Sequence, residues 1–346
     1  SGELIIKGSA FSRRVSNFAQ ARAKDKHQLD VAESYFNQVI GLFYGKKYFG
    51  EKAKADVKEM TDKMIKVYQD RLRTNTWLSE ETRLKAIEKL DAITVNIAYP
   101  DQLPEVYRRL KTGEGSLYED TLLFDDILTA RHYEKFSEEV DKKEWHMPAH
   151  MVNAYYSSDA NSINFPAAIL QAPFYSLDQS KSQNYGGIGA VIAHEISHAF
   201  DNNGAQFDKY GNLNKWWRDE DYAAFEKKQE EMIAAFDGVE TSAGKANGKL
   251  IVSENIADQG GITAAITAAQ SEDEVNLTDF FEQWARIWRN KASLEFQQML
   301  LSLDVHAPAE LRANIPPTNL QEFYDTFDVV STDKMYRAPE KRVKIW

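Results

Sequence analysis

The chain has 346 residues, 42 Lys+Arg against 53 Asp+Glu for a formal net charge of −11, and no cysteine. Its 43% apolar and 27% charged residues fit a globular chain long enough for one large or two ordinary domains. The missing thiols exclude a disulfide framework, a zinc–thiolate centre and a cysteine nucleophile. The acidic balance argues against nucleic acid or an anionic membrane surface as partner, because both demand a basic face.

No apolar run approaches the ~20 residues of a membrane span, and residues 1–30 carry no signal-type apolar core. Residues 13–91 read as helix: Val31, Tyr35, Phe36, Val39, Ile40, Leu42 and Phe43 recur at helical spacing, and a charged amphipathic stretch runs from Glu51 to Arg73. Ser79 before Glu80 and Glu81 is an N-cap for a helix reaching Leu90, with acids at its positive end. Ile93 to Ile97 is strand-like and stops at Tyr99-Pro100. Residues 100–147 mix acids, Gly and Pro and read as loops and helical turns.

Met151 to Tyr156 and Ser162 to Phe165 read as a hairpin or paired edge strands around a polar turn. A Gly-rich run, Tyr185-Gly186-Gly187-Ile188-Gly189, leads into an apolar helix from Ala190 to Phe200. Helical patterns return over 219–237, 254–270 and 278–301, with a polar break at 238–249. Short helices fit between the prolines of the tail.

The sharpest feature is His194-Glu195-Ile196-Ser197-His198. On a helix, positions i and i+4 share a face, so both imidazoles can meet one metal ion while Glu195 reaches a water beside it. Its flanks, Ala190-Val191-Ile192-Ala193 and Ala199-Phe200, are those of a buried helix, where two His and a Glu are costly without compensation. A catalytic zinc needs a third protein ligand. Glu254-Asn255-Ile256-Ala257-Asp258 offers one, with Glu254 able to bind the metal and Asp258, on the same helical face, able to hold a ligand imidazole. Alone, that acidic pair would read as a solvated face. The other histidines (His27, His132, His146 and His150) sit in no ligand spacing and read as surface or structural.

These two motifs together resemble the neprilysin family of zinc metallopeptidases, of the bacterial oligopeptidase O type. Further matches are Val152-Asn153-Ala154-Tyr155-Tyr156, Asn184 to Gly189, Asp304-Val305-His306-Ala307-Pro308, and the basic tail Lys341-Arg342-Val343-Lys344-Ile345-Trp346. The resemblance implies one Zn²⁺ per chain on His194, His198 and Glu254, with Glu195 as general base and Asp258 behind a ligand. It makes His306 the stabiliser of the oxyanion, Asn153 and Ala154 the edge that aligns the peptide backbone, and Arg312 a binder of a substrate carbonyl or carboxylate. Ile169, Phe174, Val191 and Trp288 match the pocket for the side chain after the cleaved bond. Cleavage would then favour bonds before bulky apolar residues.

The fold so implied is mainly α with a small mixed β-sheet (α+β), a thermolysin-like catalytic domain over 92–346 following a helical capping remnant over 1–91. Family members are roughly twice this length, so the chain corresponds to their latter half, and the start at Ser1 reads as truncation or processing. Oligopeptides are the expected substrates. Binding of a host protein is compatible if the protein is exported, and the bacterial cytoplasm and the cell surface are both open. The rival is an adhesion or binding module that keeps the fold without the chemistry. A serine hydrolase lacks its G-x-S-x-G.

Overall fold

The computed structural model describes residues 10–14, 20 and 23–346, except residue 114. Residues 15–19 and 21–22 of the expected helical stretch, and the start at Ser1, lie outside the described residues. After a helical stretch at residues 10–14, three helices follow: α1 (Lys24–Tyr48), bent at Phe36, then α2 (Glu51–Thr74) and α3 (Glu80–Asp91). Ser79 caps α3 as expected, its hydroxyl accepting the Thr82 N–H. Val57, Met60, Met64, Tyr68 and Leu72 recur at spacings of three and four on α2, and all are buried in the main core.

β1 (Thr94–Ala98) lies parallel to β3 (Ser162–Pro166), and β2 (Tyr155–Ser157) pairs antiparallel with β3, giving the order β1-β3-β2. β3 is buried along its whole length. Its polar Asn164 is satisfied across the sheet by Asn96 Nδ2 at 2.8 Å. The hairpin is therefore real but shorter than the sequence suggests. Asn153 and Ala154 precede β2 rather than lying in it, because Asn153 Oδ1 takes the Ala154 N–H and turns the chain.

The connection from β1 to β3 corrects a second reading. Within 100–147 runs a full helix, α4 (Leu117–Glu134), opened by a capping box between Ser116 and Glu119. Its apolar residues are spread around the helix, with Leu117, Tyr118, Leu122 and Leu123 exposed and Phe124 buried, so no single stripe marks it.

The Gly-rich run forms a π-turn between α5 (Lys181–Asn184) and α6 (Ala190–Ser197). α6 ends at Ser197 rather than Phe200. α7 (Asp219–Phe236) and α8 (Val252–Ala269) match the helical patterns, and a two-stranded ribbon fills the break between them. The expected helix over 278–301 is two: α9 (Leu277–Ile287), and α10 (Leu294–Leu303) capped by Ser293. Short helices α11 (Ala309–Asn314) and α12 (Gln321–Phe327) complete the tail. Among the described residues no helix is long and apolar enough to cross a membrane.

Two contacts place the site. Tyr68 of α2 donates to the Ala193 carbonyl at 2.8 Å, bracing α6 from behind. Across α6 runs α8, where a Cβ on Gly261 would stand 2.7 Å from the Ala190 carbonyl oxygen and 2.9 Å from His194 N. The paired glycines Gly260-Gly261 thus let the two helix backbones touch, which sets Glu254 opposite His194 and His198.

Candidate active site

α6 is buried throughout, so its polar side chains must find partners inside the protein. His194 Nδ1 meets Asp258 Oδ1 at 2.9 Å, and His198 Nδ1 meets Asp201 Oδ2 at 2.7 Å. A carboxylate can only accept, so each Nδ1 carries a proton, and once the ring is neutral the lone pair of Nε2 turns the other way. Both lone pairs converge: the Nε2 atoms are 3.0 Å apart with the rings at 89°. Glu254 Oε2 completes the triangle, 3.2 Å from His194 Nε2 and 3.5 Å from His198 Nε2, buried and without a hydrogen-bond donor.

Three acceptors aimed at one point repel unless a cation lies between them. Ligand atoms held 2.0–2.2 Å from a tetrahedral Zn²⁺ stand about 3.3–3.6 Å from one another, close to the separations seen, so the set fits that ion. Among the described residues this is the one group of three or more His, Cys, Asp or Glu arranged to hold a metal.

The electrostatics agree. Burial disfavours charge on both imidazoles, yet Asp258 and Glu254 raise the pKa of His194, and Asp201 and Glu254 raise that of His198 further. For Glu254, burial is outweighed by the two imidazoles, which hold its carboxyl far below the usual range. A metal takes the place of the protons these groups otherwise share. Asp258, despite burial, is drawn down to about 2, chiefly by Arg312 and His194. Glu195 differs: burial pushes its pKa up, its carboxylate makes no hydrogen bond among the described residues, and it faces the cavity.

That cavity measures about 460 Å³, and every candidate catalytic, metal-ligating or substrate-contacting residue named from the sequence lines it. Asn153 and Ala154 stand at the β2 end; Ile169, Phe174, Val191 and Trp288 form an apolar wall. His306 is half exposed at the rim, its Nδ1 against Asp304 Oδ1 at 2.8 Å and its Nε2 3.3 Å from Glu254 Oε2. Arg312 is more committed than expected. Its Nε and Nη2 grip both oxygens of Asp258 at 2.7 Å, and its guanidinium lies over Trp288, 3.8 Å from the ring centroid, with Nη1 outside both contacts.

Sequence reasoning missed Asp201 and Trp284, and it quoted Asp304 without giving it a role. Asp201 follows His198 by three residues, a spacing that helical geometry brings together, and Asp304 precedes His306 by two, as in an Asx turn. Trp284, one helical turn before Trp288, packs edge-on against it. No local pattern marks that residue as part of the cavity.

The sequence profile of peptidase family M13 matches residues 153–343, and that of the family's amino-terminal region matches residues 3–100. The chain belongs to peptidase family M13. It is 76% identical over 344 residues to a neutral endopeptidase of Lactococcus lactis, covering 99% of this chain and 55% of that protein. A Lactobacillus helveticus neutral endopeptidase is 44% identical over 337 residues, covering 97% and 52%. The chain thus spans about half the length of the curated relatives it matches.

Among solved M13-like structures, PepO from Lactobacillus rhamnosis superposes with a TM-score of 0.92 at 42% identity, over 97% of this chain and 54% of that one. Mycobacterium tuberculosis zinc metalloprotease Zmp1, in complex with inhibitor, follows at 0.90 and 32%, over 97% and 53%. The M13 fold, mostly helical around a small mixed sheet, is the architecture described above.

Proposed function

We propose that this chain carries the catalytic centre of a zinc-dependent endopeptidase acting on oligopeptides, with residues 92–346 as the catalytic unit and the preceding helices bracing it. The observation that carries the reading is the convergence of three largely enclosed acceptors beside a free carboxylate. His194, His198 and Glu254 would hold Zn²⁺, with Asp258 and Asp201 keeping the imidazoles in the ligating tautomer. Bound there, the ion supplies Lewis acidity toward water and the scissile carbonyl.

The remaining steps belong to the protein. Glu195, poised by burial and by its freedom from partners, takes the proton from the attacking water and passes it to the leaving amine. His306, its ring oriented by Asp304, would stabilise the negative charge that develops on the carbonyl oxygen. Asn153 Nδ2 and the chain entering β2 align an extended peptide as an added strand. Arg312 Nη1 meets a substrate carbonyl, and the wall of Ile169, Phe174, Val191 and Trp288 receives a bulky apolar side chain after the cleaved bond.

The test is Glu195→Gln in the intact protein. Zinc content stays at one per chain, and cleavage of a fluorogenic peptide falls by about 10³-fold or more. Retained turnover would remove Glu195 from the mechanism, and a wild type without zinc would remove the reading altogether.

A further inference from the structure

A buried cation lies beneath the site and takes no part in the steps above. Lys89 of α3 is 1% exposed. Its Nζ donates to three backbone carbonyls: Ala199 at 2.8 Å, Gly204 at 2.8 Å and Phe207 at 2.6 Å. All three ammonium donors are thereby used. The rings of Tyr156, Phe200 and Trp216 surround it with centroids 5.4–5.9 Å away. Burial draws its pKa down to about 7, against the opposing pull of Asp201 and Asp208.

The three carbonyls belong to one short segment. Ala199 directly follows His198 where α6 ends, so the ammonium also sits at the negative end of that helix. Gly204 and Phe207 bracket the next turn. Between Ala199 and Gly204 is Asp201, whose Oδ1 accepts the N–H groups of Asn203 and Gly204 at 2.8 and 2.7 Å, and whose Oδ2 takes the Ser253 hydroxyl beside His198 Nδ1. Lys89 and Asp201 therefore hold the same turn from opposite sides, one through its carbonyls and the other through its amides.

The geometry points to Lys89 as a positioning residue for the metal: its ammonium pins the 199–207 turn so that Asp201 stays against His198 and keeps that ring aimed at the zinc position. Lys89 lies outside both ligand-bearing helices, in the part of the chain before the sheet, and touches neither ligand nor substrate. The inference rests on the zinc reading of the site. A lysine that merely fills the core would stabilise the fold without touching metal affinity.

Chelator competition for zinc separates the two, measured on the intact wild type, Lys89→Met, Asp201→Asn and the double variant. Lys89→Met is expected to weaken zinc binding by about tenfold, the lower end of what loss of a partner behind a ligand costs. In the Asp201→Asn background the same change should cost no more than about twofold, because Lys89 acts through Asp201. Amide exchange at Asn203 and Gly204 should quicken in Lys89→Met even before zinc is added. Met232→Ala, a cavity in the same core away from the turn, should lower Tm and leave zinc affinity as it was.

Wild-type affinity in Lys89→Met, or fully additive losses in the double variant, would overturn the inference. Should Lys89→Met not fold, Lys89→Arg is read in the same cycle: the fork keeps the charge but cannot place one nitrogen on all three carbonyls. A wild type that binds no zinc would instead refute the reading of the site itself.

Discussion

The two walls of the cavity are built differently. The wall of the proposed metal ligands comes from two packed helices, α6 and α8, and both imidazoles are held from behind: His194 by Asp258, which Arg312 grips in turn, and His198 by Asp201. The proposed peptide wall comes mostly from places where regular structure stops, Val191 of α6 excepted. Asn153 and Ala154 precede β2, Phe174 follows the loop at Pro173, Trp288 ends α9 and His306 sits in the turn after α10. Buried charge needs neighbours fixed in advance, whereas a peptide needs free edges and side chains open to the cavity. Substitutions in the first wall should therefore change metal affinity and stability, and those in the second should change substrate preference.

The largest effect expected is at the hinge between the walls. Arg312→Met leaves the Asp258 carboxylate buried without its bidentate partner, a loss of about 3–5 kcal/mol visible in denaturant midpoints. A loss under ~1 kcal/mol would show that the Arg312 fork serves substrate alone. Next, Asp201→Asn should weaken zinc by about 10–100-fold while KM of the fully loaded enzyme stays put. A change in KM alone would blur the division between the walls.

The peptide wall gives a smaller and opposite signature. Gly187 lies in the π-turn, where an added Cβ would come within 2.3 Å of the Phe174 carbonyl oxygen, and the Ile188 N–H donates to that same oxygen at 2.8 Å. Gly187→Ala must push Phe174 and its loop. KM for peptides with a bulky apolar residue after the cleaved bond should rise about tenfold, with zinc content unchanged. Parallel losses of zinc and kcat would assign Gly187 to the metal wall instead.

The smallest effect concerns acid. Against burial, Lys181, Lys63 and Tyr185 hold Glu272 down at about 2, joining α5, the π-turn and α2 to the turn after α8. A depressed carboxylate stabilises the fold above its unfolded pKa, and that contribution is lost as pH falls from about 4.5 toward 2. After solvent screening it is worth about 1 kcal/mol. Glu272→Gln should flatten the pH dependence of stability in that window and leave zinc affinity at neutral pH alone.

Much of this was legible in the chain itself, for a reason that differs by element. His194 and His198 share a face because helical geometry is local, and Ser79 caps α3 because its hydroxyl reaches a backbone N–H three residues on. β1 and α2 follow from periodicity that any short window contains. The helix over 117–134 escaped because its apolar residues form no stripe, and the break at 288–293 because the apolar pattern runs on through it. The peptide wall could be named only by resemblance to a family.

What local sequence cannot encode is approach. Asp258 reaches His194 across 64 residues, Arg312 reaches Asp258 across 54, and Lys89 reaches Ala199 across 110. Each contact exists because other residues bring the backbones together, Gly260 and Gly261 above all, where any larger residue would hold α8 away from α6. The motif supplies two ligands on one face of a helix. Whether a third closes the triangle, whether carboxylates stand behind the imidazoles, and whether a cavity opens in front of Glu195 were decided by the packing of helices distant in sequence.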